Sequence, residues 1–243
     1  MVRSLRPVRR VERHPDATLD PAAWPDSVPA VTQLLTHGLD LAAGVTFLVG
    51  ENGAGKSTIV EAVAEVLGVH AEGGMRRHAG EWRERPGDQA RLGERLRVVK
   101  SAGGVREVFF LRAETMHRFY SFLEDAGSEA HGNLHGMSHG ESFVDVLGAA
   151  WMRRVDVVLL DEPESALSFD NCLLLAASLA RMAADGKQVL CATHSPLLTA
   201  LPGATLLQLD EDGMTPTTWE ELTTVRNWRF FLDAPERYLR HVL

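Results

Sequence analysis

Gly50-Glu51-Asn52-Gly53-Ala54-Gly55-Lys56-Ser57-Thr58 satisfies the phosphate-loop pattern G-x-x-x-x-G-K-[ST], and its flanks decide how it is read. The apolar run Val45-Thr46-Phe47-Leu48-Val49 precedes it and reads as a buried strand. Ile59 to Leu67 is amphipathic at helical spacing and is closed by Gly68. Glycines between a strand and a helix let the backbone turn tightly, so that successive N–H groups and the positive end of the helix dipole face one anion. In that context Lys56 is expected to reach the β/γ-phosphates of a nucleoside triphosphate, with the Ser57 hydroxyl on Mg²⁺. Gly50, Glu51, Asn52, Gly53, Ala54, Gly55 and Thr58 complete the expected cradle for ATP.

A second motif lies about 105 residues downstream. Val157-Val158-Leu159-Leu160-Asp161-Glu162 is an apolar strand ending in two carboxylates, the Walker B form. Alternation along a strand turns neighbouring side chains to opposite faces, so the two acids are expected to do different work. Asp161 would hold Mg²⁺ beside Ser57, and Glu162 would orient or deprotonate the water that attacks the γ-phosphate. A third apolar run, Gln188 to Thr193, delivers His194 at its carboxyl end, where ligands of open α/β sheets gather. Glu162, His194 and Lys56 form the expected catalytic set.

Around these motifs, strand-like runs at 105–111, 155–161, 188–193 and 204–209 alternate with helical ones, including Leu173 to Ala184. Such alternation implies a mostly parallel sheet covered on both faces. Residues 3–13 read as a partly exposed strand carrying Val8 and Val11. Pro15 to Pro29 reads as a surface loop, and residues 72–95 as a polar excursion. Met116 to Leu123 reads as helical, whereas Gly127 to Gly140 is rich in Gly, His and Ser and reads as loop. A length of 243 residues suits one α/β domain with an appended lobe. We place the core at about 1–70 and 155–243, with the lobe inserted at about 71–154.

Taken in order, the motifs resemble the ABC-type ATPases. Gly50 to Thr58 is similar to their Walker A, Val157 to Glu162 to Walker B with its catalytic glutamate, and Ala192 to Ser195 to the segment carrying the switch histidine. Ser138-His139-Gly140-Glu141-Ser142 resembles the signature, usually S-G-G-Q, and Ser165-Ala166-Leu167-Ser168 resembles the D-loop. The Gly-Glu-Asn-Gly and Asp-Glu-Pro-Glu forms look most like the chromosome-maintenance and recombination-repair branch. Phe110 to Glu114, Ser138 to Phe143 and Pro235 to Leu239 resemble a group of small stand-alone bacterial ATPases.

The resemblance implies a P-loop fold of the ABC type, with a mostly parallel central sheet flanked by helices, a small helical lobe and an antiparallel N-terminal β element. It also implies ATP and Mg²⁺ as cofactors and an ATP-dependent homodimer acting on a protein or nucleic-acid partner. Ser138, Gly140 and Glu141 would then close on the partner copy's γ-phosphate, from the start of a helix over Glu141 to Trp151. Glu114 stands where the family's Q-loop glutamine is expected and could ligate Mg²⁺. Trp24 lies where an aromatic often stacks on adenine, although packing of the Pro-rich loop explains it as well. His139 and Glu141 depart from the signature, and Ser168 departs from the D-loop aspartate.

Other readings are weaker. His131, His135 and His139 have metal-like helical spacing, but Gly132, Gly136 and Gly140 argue against that helix. Arg76, Arg77, Arg83, Arg85, Arg91, Arg95 and Arg97 are interleaved with acids and read as a solvated face rather than a nucleic-acid groove. A net charge of −8 excludes a uniformly basic surface. No apolar run reaches the ~20 residues of a membrane helix and no signal-peptide core opens the chain, so we expect a cytoplasmic protein in which Cys172 and Cys191 are buried thiols. Two alternatives to a hydrolysing switch remain: the nucleotide-binding subunit of a transporter, and an ATP sensor with little turnover.

Overall fold

The structure is a computed structural model that describes residues 6–70, 73–75, 92–113, 147, 150–165 and 167–240. Within these, strands β3 (Val45–Gly50), β6 (Val108–Arg112), β7 (Val157–Asp161), β8 (Gln188–Thr193) and β9 (Thr205–Asp210) pair in parallel in the order β9-β3-β8-β7-β6. Two short antiparallel strands finish the sheet, β10 (Gly213–Thr217) beside β9 and β4 (Gly74–Met75) beside β6. The central strands β3, β7 and β8 are apolar along almost their whole length because both faces are covered.

The strand period of two assigns those faces. Leu48, Phe110, Val157, Leu159 and Leu190 point to a core shared with helices α1 (Pro29–His37) and α2 (Lys56–Val66). Phe47, Phe109, Val158, Leu160 and Val189 point the other way, onto Cys172, Leu175, Leu179 and Met182 of α3 (Phe169–Ala184). Helix α3 begins one turn before the apolar stretch that marks it, because the Ser168 side chain accepts from the Asn171 N–H and caps its first turn.

The N-terminal β element is a separate antiparallel sheet, β2-β1-β5, built from β1 (Val8–Arg13), β2 (Leu39–Asp40) and β5 (Leu96–Lys100). Val8 and Val11 are fully buried in the α1/α2 core, so this strand is less exposed than its arginines imply. Its partner β5 and helix α1 are absent from the reading of the sequence alone. The end of the polar stretch also proves to be core: Leu92–Arg95 forms a 3-10 turn whose Leu92 is buried.

Arg95 pairs with buried Asp26 at 2.6 Å, and Arg97 pairs with Glu12. These two arginines are therefore structural partners of acids. Arg76, Arg77, Arg83, Arg85, Arg91, His131, His135 and His139, and the helix expected over Met116 to Leu123, lie outside the described residues. Among the described residues no helix is long and apolar enough to cross a membrane. Both cysteines are buried free thiols, and burial raises the pKa of each, that of Cys191 far above the ordinary value. Beyond α3, helices α4 (Thr223–Asp233) and α5 (Pro235–Leu239) complete the chain.

Candidate functional site

The turn between β3 and α2 is fixed by contacts that only glycine permits. Gly50 ends β3 so close to the Leu209 carbonyl of β9 that a Cβ would strike it. Gly55 has φ +93°, and a Cβ there would sit 2.9 Å from Val28 of the segment leading into α1. With Gly53 also at positive φ, the backbone turns tightly at 50–55 into the N-terminus of an 11-residue helix, the kind of turn that can present N–H groups to an anion.

Lys56 starts α2 and is 3% exposed. Its Nζ donates to the Glu51 carbonyl at 3.0 Å and stands 4.0 Å from Glu162 Oε1. Burial depresses its pKa, partly offset by the field of Glu162, Asp161, Glu164 and Glu51. The buried ammonium thus has one carbonyl partner and lies in the field of four acids, and its positive charge is the part of this setting that suits a phosphate.

The two Walker B acids do separate, but strand alternation is only half the reason. Asp161 is the last residue of β7 and is almost wholly buried, with Arg112 Nε 3.4 Å away. Glu162 leaves the strand at φ +47°, a left-handed conformation that non-glycine residues rarely adopt. This turn leaves its carboxylate about a third exposed and directed at His194, whose Nε2 lies 2.8 Å from Glu162 Oε1. Main-chain bonds hold the turn, from Glu162 N to the Ala192 carbonyl and from Ser165 N to the Glu162 carbonyl.

Two residues that the sequence did not single out stand in the same place. Arg112, at the carboxyl end of β6, reaches Glu61 of α2 at 2.5 Å as well as Asp161, so it links the Walker A helix to the Walker B strand. Glu164 accepts from Thr193 Oγ1, His194 N and Ser195 N through a single oxygen. The sequence signals were a charged residue ending an apolar strand and a third acid three residues after Asp161.

Trp24 is 64% exposed on the turn before α1, so packing within the Pro-rich loop does not account for it. Ser57 and Thr58 lie half-buried in the first turn of α2. Ser138, Gly140, Glu141 and Glu114, together with most of the helix expected over 141–151, fall outside the described residues. Trp151 itself lies in a 3-10 turn, Ala150–Arg154.

The residues present fit both expected cofactors. The 50–55 turn and Lys56 suit a polyphosphate, and a hydroxyl with carboxylates is a hard-oxygen donor set suited to Mg²⁺. Fold and site together define a P-loop nucleotide-binding α/β protein. The model of the ABC transporter family matches residues 38–165, and the chain belongs to that family. An ATP-binding domain of this family carries ATPase function in the general sense.

The ATP-binding protein Uup of Caulobacter vibrioides is 32% identical over 144 residues, covering 55% of this chain and 21% of that protein. The chain thus spans about a fifth of that relative's length. Among solved structures, a metal-chelate type ABC transporter in an inward-facing conformation is 18% identical, with TM-score 0.47 over 79% of this chain and 78% of that one. The cbiO1 protein of Clostridium perfringens, described as part of the ABC transporter complex cbiONQ, is 15% identical, with TM-score 0.48 over 85% and 90% of the two chains.

Proposed function

We propose that this protein is an ATP-hydrolysing switch whose two copies sandwich two nucleotides and act on a protein or nucleic-acid partner, in the manner of the stand-alone ATPases rather than the transporters. The observation that carries hydrolysis is the 2.8 Å contact between Glu162 and His194 beside Lys56. A carboxylate already hydrogen-bonded to an imidazole is oriented to take or position the proton of an attacking water.

The roles follow from position. The turn at 50–55 and Lys56 bind the β/γ-phosphates and hold them against the site. Ser57 and Asp161 would hold Mg²⁺, which when bound would neutralise phosphate charge. Glu162 orients the water and His194 steadies both Glu162 and the terminal phosphate. Trp24 offers an exposed ring to the base, and Glu114 would add a further carboxylate to the residues that hold Mg²⁺. Ser138, Gly140 and Glu141 close the composite site of the second copy. The protein works in the cytoplasm as one domain, with a core at about 1–70 and 155–243 and a lobe at about 71–154.

Sandwiching is tested by complementation. Ser138→Arg should leave ATP affinity of the monomer nearly intact while blocking dimerisation and turnover. Mixed with Lys56→Ala protein, it should regain activity above either parent, because each mixed dimer keeps one intact composite site. Full activity of Ser138→Arg alone would show hydrolysis by a monomer and end the sandwich reading. The transporter alternative, favoured by the family's own designation, is separated by co-purification: a stable membrane subunit recovered with the chain would overturn the stand-alone assignment.

A further inference from the structure

Beyond its field at Lys56, Glu164 has no role in the nucleotide chemistry described above, yet its carboxylate accepts three hydrogen bonds. One oxygen accepts from Thr193 Oγ1 at 2.6 Å, His194 N at 2.7 Å and Ser195 N at 3.1 Å. These are successive donors of the turn that carries His194 out of β8. Thr193 Oγ1 also accepts from Ser195 N at 3.0 Å, which closes the turn on itself. From the other side, Glu162 N is bonded to the Ala192 carbonyl, and Ser165 N and Oγ both donate to the Glu162 carbonyl. The two turns that present Glu162 and His194 are therefore tied together by their backbones and by one charged side chain.

We infer that Glu164 is a positioning residue for hydrolysis: it fixes the backbone at 193–195 so that the His194 imidazole meets Glu162 at hydrogen-bonding distance. Three donors converging on one carboxylate oxygen are charge-assisted bonds, stronger than neutral ones, and they hold a turn that strand pairing no longer restrains. Glutamine retains a carbonyl oxygen and so retains the acceptor, without the charge.

The inference rests on the hydrolytic reading of the site, and the experiment separates the two. In steady-state ATPase assays Glu164→Ala should lower kcat by about 10²-fold, the size of effect expected when a reacting group is misplaced by about an ångström. KM for ATP should change far less than kcat, since Glu164 reaches Lys56 only through its field, and Glu164→Gln should recover most of the rate. Adding His194→Ala to Glu164→Ala should cost nothing more than His194→Ala alone, because the two act as one unit.

The amide resonances of His194 and Ser195, assigned in labelled protein, should move upfield in Glu164→Ala, as charge-assisted bonds are lost, and return towards the native positions in Glu164→Gln. Independent, multiplicative losses in the double variant would overturn the inference, as would unmoved amide resonances in Glu164→Ala. If the native protein hydrolyses no ATP, the proposed function falls, while the resonances still decide whether Glu164 places His194.

Discussion

At the amino ends of β7 and β8, Lys187 donates its ammonium to the Met152 and Val155 carbonyls at 2.7 and 2.9 Å. There too, the Gln188 amide bridges Val8, Leu41 and Ala42, and Asp156 receives Arg106 through three bonds. At the carboxyl ends of β3, β7 and β8, Lys56 has one carbonyl and a crowd of carboxylates, and Glu162 holds a left-handed backbone. The strands and their apolar flanks are common to both ends. At one end a buried lysine has two carbonyl acceptors, whereas at the other the buried lysine has one, beside a carboxylate carried on a left-handed backbone. Strained and incompletely satisfied groups persist only where surrounding structure over-determines them. The seven-stranded sheet, packed on both faces, supplies that support.

The largest effect should come from Glu162→Gln, which removes the base while keeping size and shape. Hydrolysis should slow by ~10²–10⁴-fold with nucleotide binding retained, and the ATP-bound variant should accumulate as a dimer on size-exclusion chromatography. A native rate in single-turnover measurements would show that Glu162 is not the catalytic carboxylate.

Next in size, Lys56→Ala should weaken ATP binding by roughly 10²–10³-fold, the loss of one or two charge-assisted bonds worth about 1.5–3 kcal/mol each. Calorimetric titration measures it, and unchanged affinity would remove the anion-site reading. The opposite end supplies the matching control. Lys187→Met should cost about 2–3 kcal/mol of stability, because two buried carbonyls lose their donor, which corresponds to roughly 5–10 °C in melting temperature. ATP affinity of the folded protein should remain native. If Lys187→Met instead weakens nucleotide binding as Lys56→Ala does, the contrast between the two ends is lost.

The smallest effect is the alkaline titration of Lys56. Its pKa is lowered in the folded chain, so through the window between that value and the ordinary lysine value the unfolded chain binds more protons. The penalty for burying the ammonium is present below that window and disappears as the pH rises through it, so Lys56's own contribution to stability increases there. ATP affinity, which needs the ammonium, should decline over the same window and begin to do so below the ordinary lysine range. Lys56→Arg should bind more weakly at neutral pH but show no such decline, since a guanidinium stays charged. Titrations between pH 7 and 10 check both slopes.

Much of the candidate site is legible in the sequence alone. Glycines, a lysine and a hydroxyl between a strand and a helix have one common use, and an apolar strand ending in Asp161-Glu162 gives that use a partner. Apolar runs predict all five parallel strands to within a few residues, β6 from 105–111 against an observed Val108–Arg112, because buried strands read as continuous apolar runs. Helix α1 and strand β5 were not found: α1 follows a proline-rich turn, and β5 earns its state only by pairing with β1 across more than eighty residues.

Local chemistry in the sequence thus marks residues suited to phosphate binding and acid–base work, since turn-forming glycines and charged strand ends announce themselves without neighbours. Only the tertiary structure decided how those residues face one another. The positive φ of Glu162, the 2.8 Å approach of His194, the bridge from Arg112 to Asp161 and Glu61, and the convergence of three donors on Glu164 all depend on strands far apart in sequence lying side by side. Such contacts are set by sheet order and by the turns that leave the strands, and no periodicity along a single chain encodes them.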